Sequence, residues 1–278
     1  MGSGRDRGPP TGIVVVTALV VLAAASPALV ASRPANEIPI EDVSGGASPA
    51  EPTAERWDTV PAVTVPLSSA PSGLPNAESV SVERLTVQAA RTDGHLYLRL
   101  SWTDPTADRN STTPRAFADA VAVQLPVNTS VRPAIAMGST RNRVNVWYWS
   151  ADTGTEELLA GGVGTTTEFA ETTVRTRTSH DDGRWTVVLA RELRPDGANR
   201  TTIRGEHDVD VAFAVWNGSN MERSGHKSVS EWYHLPFGPG PQGPPYETIL
   251  WTLAGLAIVG VALVTISAVR NTGEQGDR

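Results

Sequence analysis

The chain has 278 residues, no cysteine and a formal net charge of −7. Lys227 is its only lysine, so every other basic residue in the count of 23 is an arginine. The lack of cysteine excludes disulfides, thiolate-bound zinc, iron–sulfur clusters and covalently attached c-type haem. An acidic chain without a basic patch is a poor nucleic-acid binder, and the bias towards arginine and acidic residues fits a salt-adapted proteome.

The first 32 residues have the composition of a secretory signal. Arg5 and Arg7 precede an almost wholly apolar run over residues 13–31, and small residues follow near positions 28–32. This order of features predicts a signal peptide over residues 1–32. An uncleaved membrane anchor is the alternative, because the apolar run is long for a signal peptide.

A second apolar run lies near the C-terminus, over residues 249–269, and contains no charged residue. About 20 apolar residues span a bilayer as a helix, so we predict a transmembrane helix over residues 247–270. Arg270 would lie on the cytoplasmic side, followed by a cytoplasmic tail over residues 271–278. A buried soluble helix is the alternative. Both terminal patterns predict a protein of the cell membrane whose folded domain is extracytoplasmic.

The sequence between these two segments predicts one folded domain. Residues 33–56 are rich in proline, alanine, serine, glycine and glutamate, which predicts a flexible tether. Residues 236–246 form a proline/glycine linker that cannot continue as a helix or a central strand. The predicted domain is therefore 57–235, which is long enough to bury a hydrophobic core.

Alternation of apolar and polar residues predicts that this domain is an antiparallel β-sandwich, immunoglobulin-like or similar to a carbohydrate-binding module. Leu96, Leu98, Leu100 and Trp102 fall on one face of a strand that follows an Asp-Gly turn at residues 93–94. Further strands are predicted over residues 119–126, 144–150 and 209–218, and a second Asp-Gly hairpin at residues 182–183.

The motifs of common hydrolytic and nucleotide-binding enzymes are absent from the sequence. It has no HExxH, no GxSxG and no GxxxxGK[ST] motif, so nothing predicts a nucleophile–base pair or a phosphate loop. Asp104 and Asp108 form a loop that could bind a hard cation, although a polar loop on an acidic protein is the simpler interpretation.

Two loop residues are unusual for this composition. A loop lysine is normally a solvated charge, yet this chain uses arginine at every other basic position. Lysine can lose its proton when desolvated or metal-bound whereas arginine cannot, so Lys227 is a candidate nucleophile or metal ligand. Met137 lies in a small-residue loop, Ala-Met-Gly-Ser, that leads into an aromatic strand. A lone methionine is more often a core residue.

At these positions the sequence resembles the haem-b-binding subunits of ethylbenzene dehydrogenase and its relatives, the gamma subunits of molybdenum enzymes of the dimethyl-sulfoxide-reductase class. The segments that carry the resemblance are 93–108, 117–126, 136–149, 183–193 and 210–235. It implies a β-sandwich with one non-covalent haem b, whose iron is bound by Met137 and Lys227. Met221 is a competing thioether, but it lies in a more polar segment, outside the Met-Gly position of the family.

The resemblance also implies partners and a function. Relatives act with a molybdopterin catalytic subunit and an iron–sulfur subunit, and two protein ligands on the iron favour electron transfer over catalysis. We therefore predict a membrane-anchored electron-transfer subunit of an extracytoplasmic molybdenum oxidoreductase. The predicted C-terminal anchor departs from soluble relatives and leaves the electron route open.

Further haem-pocket residues are predicted beside these two ligands. Trp147, Trp149 and Trp216 would form its walls, and Arg141 and Arg143 would pair with the propionates. The alternative functions are a cell-surface sandwich that binds carbohydrate or another ligand without haem, and a purely structural anchor for a partner.

Overall fold

The computed structural model describes residues 36–45 and 48–238, together with Gly255, Ile258 and Gly260. In these ranges the domain consists of two β-sheets and two short 3-10 helices, Glu55–Thr59 and Gly218–Asn220. The six-stranded sheet contains β1 (Ile40–Asp42), β2 (Ala62–Pro66), β4 (Arg84–Arg91), β5 (His95–Thr103), β10 (Arg175–Asp181) and β11 (Arg184–Glu192). The eight-stranded sheet contains β3 (Ser68–Ser69), β6 (Ala120–Pro126), β7 (Val144–Ser150), β8 (Gly154–Ala160), β9 (Thr167–Glu168), β12 (Val209–Trp216), β13 (Ser228–Val229) and β14 (Tyr233–Leu235).

The two sheets pack face to face around one main core, which confirms the predicted all-β sandwich. The alternation predicted for β5 is observed, because Leu96, Leu98, Leu100 and Trp102 all lie in that core. Both Asp-Gly turns join antiparallel neighbours, β4 with β5 and β10 with β11. The long central strands β6, β7 and β12 are also antiparallel neighbours, in the order β12-β6-β7.

The predicted flexible tether, residues 33–56, contains a strand in the part that the structure describes. Strand β1 pairs with β4 in parallel, and Val43 is buried. Trp57 packs with Val43 and Val60 on the outer face of the six-stranded sheet. Val43, Trp57 and Val60 therefore cover an apolar sheet face, and the composition of this region did not predict the contact because few residues carry it.

The N-terminal and C-terminal parts of this domain lie side by side. The Ile38 N–H donates to the carbonyl of His234 at 2.9 Å, and the His234 N–H donates to the carbonyl of Asn36 at 2.9 Å. Phe237 is buried in the main core, so the domain extends beyond the predicted boundary at residue 235.

The predicted signal peptide, transmembrane helix and cytoplasmic tail lie outside the described residues, except for three helical positions within 247–270. The part of the chain that the structure describes contains no helix both long enough and apolar enough to cross a bilayer.

A buried ion cluster joins the two sheets. Arg191 of β11 and Glu157 of β8 are both fully buried, with 3.5 Å between Nη1 and Oε1. Arg200 donates to the other Glu157 oxygen at 3.0 Å, and Asn145 of β7 accepts from Arg191 at 2.7 Å. The Arg191 guanidinium also lies 4.6 Å from the ring centroid of Trp147. Burial lowers the pKa of Arg191 to about 10, so it remains charged at neutral pH.

A second buried carboxylate, Asp119, joins strand β11 to the segments at Asp108 and Gly218 at one end of the sandwich. Its oxygens accept from the indole N–H of Trp185 at 2.9 Å, the Asp108 N–H at 2.7 Å and the Gly218 N–H at 2.8 Å. Desolvation raises the pKa of Asp119 to about 6 in spite of these donors, and the nearby charge of Asp104 adds to the increase.

We predict that Glu157→Gln lowers the free energy of unfolding by about 3–5 kcal/mol, because it leaves the Arg191 charge buried and unpaired. Urea unfolding of the folded protein measures this change. The matched control is Arg177→Ala, which breaks an exposed pair with Glu51 and should cost no more than about 1 kcal/mol. Equal effects of the two substitutions would contradict the role assigned to the buried cluster.

The raised pKa of Asp119 predicts a pH dependence of stability. Between about pH 4 and 6 the folded protein binds a proton at this carboxyl that the unfolded chain does not bind. The contribution of Asp119 to the free energy of unfolding therefore decreases as the pH rises through this range. The free energy of unfolding, measured with urea from pH 4 to 7, should decrease less with rising pH in Asp119→Asn than in the wild type. The same pH dependence of the free energy of unfolding in both proteins would rule out the raised pKa of Asp119.

Candidate functional site

The outer face of the eight-stranded sheet carries an apolar cleft. Its floor consists of small outward-facing side chains of β6, β7 and β12: Ala122, Val146, Ala212 and Ala214. Met137 and Lys227 both line this cleft, although they are far apart in sequence. The cleft is open to solvent and has a volume of about 160 Å³. Ile135 and Val163 lie at its exposed edge.

Met137 is presented by the loop between β6 and β7, in a tightly bonded turn. Its φ is +62°, a left-handed conformation that is uncommon for residues other than glycine. Its N–H donates to the carbonyl of Ile135 at 2.8 Å, and its carbonyl accepts from Gly162 at 2.9 Å. The next residue, Gly138, has φ +73°, and a Cβ there would lie 2.6 Å from the carbonyl oxygen of Asn142. The turn therefore requires glycine after the methionine, which explains the Met-Gly pair.

Lys227 comes directly before β13, whose two residues pair with both β3 and β12. Its own carbonyl accepts from Ala70 at 2.9 Å. The side chain is largely desolvated, which lowers the pKa of its amine. In the part of the chain that the structure describes, no ion pair involves Lys227. The amine therefore loses its proton more readily than that of a surface lysine, and a neutral amine can bind a metal ion.

The loop that carries Lys227 is fixed at two further points. The buried carboxylate of Glu222 accepts from the Ser81 N–H at 2.9 Å and from the Asn217 N–H at 3.1 Å. A Cβ at Gly218 would overlap the carbonyl oxygen of Phe117, so the backbone passes there in close contact. These contacts fix the backbone of the loop before any ligand binds.

Trp216 lies at the end of β12 and lines the cleft beside Lys227. The Lys227 Nζ is 4.9 Å from the centroid of the Trp216 ring. The same indole contacts Tyr148 edge to face, with ring centroids 5.6 Å apart. Trp216 also lines an adjoining cavity of about 410 Å³, whose lining includes Tyr148, Glu156 and Arg223.

Trp147 and Trp149 do not line this cleft, contrary to the prediction. Both point into the sandwich, where Trp147 packs with Arg191 and Trp149 contacts Trp185 with ring centroids 5.1 Å apart. Because side chains of a strand alternate between its faces, the outward positions of β7 are Val146 and Tyr148. Of the three predicted tryptophans, only Trp216 is at the site.

The other predicted residues are distributed differently. Arg141 and Arg143 are exposed and do not line the cleft. Met221 is 56% exposed and also lies outside the cleft, so Met137 is the thioether at the site. Asp104 and Asp108 both accept from the Thr106 hydroxyl. Among the described residues, no group of three or more histidine or acidic side chains could hold a metal ion.

The alanine side chains on the floor of the cleft are functional candidates that were not predicted from the sequence. Ala122, Ala212 and Ala214 alternate with the larger inward residues of β6 and β12. Small residues at matched positions on neighbouring strands leave space above a sheet. The alanine residues at the outward positions of β6 and β12 were part of the same alternation that predicted these strands.

Comparison with known proteins identifies the family. The family model described as ethylbenzene dehydrogenase matches residues 54–173 and 162–228. A protein of Haloferax mediterranei named as a respiratory nitrate reductase heme subunit is 65% identical over 97% of this chain and 98% of its own length. The chlorate reductase gamma subunit of Ideonella dechloratans is 36% identical, over 81% of this chain and 96% of its own length.

A solved structure of a family 9 carbohydrate-binding module from Caldicellulosiruptor kristjanssonii, in complex with glucose, is 14% identical with a TM-score of 0.44. It covers 74% of this chain and 100% of that module. The family model covers more than half of the chain, and both named relatives match over most of their own length. The chain belongs to the ethylbenzene dehydrogenase family, as the resemblance in its sequence predicted.

Proposed function

We propose that this protein is the haem b electron-transfer subunit of a molybdenum oxidoreductase, in which Met137 and Lys227 would hold the iron. One observation carries the proposal. The two side chains that the family resemblance assigns to iron lie in the same apolar cleft, although they come from different loops. The names of the relatives support it, because one is named as a heme subunit and another as a gamma subunit of a reductase.

The chemistry of the cleft fits a haem. Apolar side chains on the floor suit a flat hydrophobic macrocycle, and a thioether and a desolvated amine are the donors available at the edges. The volume of about 160 Å³ is smaller than the roughly 300–1,000 Å³ of typical ligand pockets. We therefore expect the loop that carries Met137, with Ile135 and Val163 at the exposed edge, to move outwards when haem binds.

The roles of the two ligand residues follow from their donor atoms. Bound haem would supply a one-electron redox centre at this surface of the domain. Met137 would contribute a neutral thioether, which tends to raise a haem reduction potential. Lys227 would bind as a neutral amine and would therefore release its proton. Because Met137 and Lys227 would both bind the iron, we expect electron transfer there and not binding of oxygen or substrate.

The proposed function also includes partner subunits and a location at the cell membrane. The partners would be a molybdopterin catalytic subunit and an iron–sulfur subunit, in line with relatives named as reductase subunits. We propose anchorage in the cell membrane through residues 247–270, with the folded domain outside the cytoplasm and, from the composition, a high-salt habitat. Arg141 and Arg143 are proposed as propionate partners, because they follow Met137 closely and are exposed.

Three variants test the proposed ligands in haem binding. Met137→Ala and Lys227→Ala should each change the low-spin six-coordinate absorption spectrum and weaken haem binding more than about tenfold, because each removes an iron ligand. Lys227→Arg should do the same, since arginine keeps the charge but cannot supply a neutral donor. Haem titration of the full-length protein, followed by absorption spectroscopy, measures both effects.

Met221→Ala is the matched control, because it removes an exposed thioether outside the cleft and should leave the spectrum unchanged. A wild-type protein that takes up no haem would overturn the proposed function. A normal spectrum in Lys227→Arg would remove this residue from the ligand set.

A further inference from the structure

We propose that Trp216 is a positioning residue, which holds the Lys227 amine at the cleft before haem binds. The role in haem binding rests on the proposed function, but the contact itself belongs to the haem-free protein. Its geometry is that of a cation–π pair, because the Nζ lies 4.9 Å from the ring centroid and such pairs form within about 6 Å.

No other described group competes for the amine. In the part of the chain that the structure describes, neither an ion pair nor a hydrogen bond satisfies the Lys227 Nζ, and the side chain is half-buried. An ammonium group in such surroundings needs a compensating partner, and tryptophan offers the most favourable aromatic face. The indole of Trp216 therefore determines where the amine lies.

The ring is itself held by the loop that carries the lysine. The Trp216 indole N–H donates to the carbonyl of Ser224 at 3.2 Å, three residues before Lys227. Tyr148 supports the indole from β7 through the edge-to-face contact. The indole of Trp216 thus contacts both the loop that carries Lys227 and the Lys227 amine. A movement of the ring would therefore move the lysine.

This arrangement has a consequence for affinity. A free lysine side chain has many rotamers, and ordering it at the moment of binding weakens the complex. Trp216 restricts those rotamers beforehand, so the amine is near its binding position when haem arrives. Loss of the ring should weaken haem binding by about twofold to tenfold, which corresponds to the cost of ordering one long side chain on binding.

The contact can be measured directly, because Lys227 is the only lysine of the chain. In haem-free protein prepared with isotope-labelled lysine, the NMR spectrum contains one lysine side chain. We expect its ε-methylene signals to lie upfield of the position in an unfolded chain, owing to the ring current of Trp216. Trp216→Leu should return them to that position, and Trp216→Phe should leave an intermediate shift.

Haem titration of the same variants tests the role in binding. Trp216→Leu should bind haem more weakly than the wild type, with part of the haem lacking the lysine ligand in its absorption spectrum. Tyr97→Phe is the matched control, because it changes an aromatic residue on the outer face of the six-stranded sheet, away from the cleft, and should leave both the lysine signals and the haem affinity near wild type.

The outcomes separate the two proposals. Wild-type lysine signals at the unfolded-chain position, or signals that Trp216→Leu does not move in a protein that remains folded, would overturn the contact. A ring-current shift with unchanged haem affinity in Trp216→Leu would overturn the positioning role. Failure of the wild type to bind haem would instead overturn the proposed function, while the NMR result would still decide the contact. If Trp216→Leu does not fold, Trp216→Phe carries the same comparison with a smaller expected change.

Discussion

The pairing of Arg191 with Glu157 is the contact on which the sandwich depends most. One partner comes from each sheet, and both are fully excluded from water. Two charges in such a position are tolerated only when every donor and acceptor is satisfied, and here Asn145, Arg200 and Thr173 complete the set. The cluster therefore requires one alignment of β11 over β7 and β8. That alignment in turn determines which residues of β7 face outwards.

The two faces of the eight-stranded sheet have different residue sizes, and this difference creates the site. Inward positions of β6, β7 and β12 carry large side chains such as Trp147, Trp149 and Phe213, which fill the space between the sheets. Outward positions carry alanine and valine along the middle of the strands, with Trp216 near one end. Large residues thus stabilise the fold on one face, while small residues leave room for a ligand on the other.

Much of the fold was predictable because it depends on local alternation. Period-two patterns predict strands at 96–102, 119–126 and 144–150, and the structure has a strand at each of these places. The packing of segment 43–60 was not predictable, because its contacts with the six-stranded sheet depend on a few scattered residues such as Val43 and Trp57. The buried ion cluster could not be found either, since Arg191 and Glu157 look like ordinary surface charges in the sequence.

The candidate site shows the same division. Met137 and Lys227 were singled out by composition and family resemblance, and the structure brings them to one cleft. Trp147 and Trp149 were misassigned because their aromatic character was given more weight than their position in the alternation of β7. The link between Trp216 and Lys227 needs three-dimensional information, because the loop folds back on β12 and its Ser224 carbonyl accepts from the indole.

The adjacent ends of the domain have a consequence for its connectivity. The segment around Ile38 and strand β14 are hydrogen-bonded neighbours, so the chain enters and leaves the sandwich at one edge. A short peptide could therefore join the two ends, with new termini opened in an exposed loop elsewhere. The domain has the geometry that tolerates circular permutation, and its core does not depend on where the chain begins.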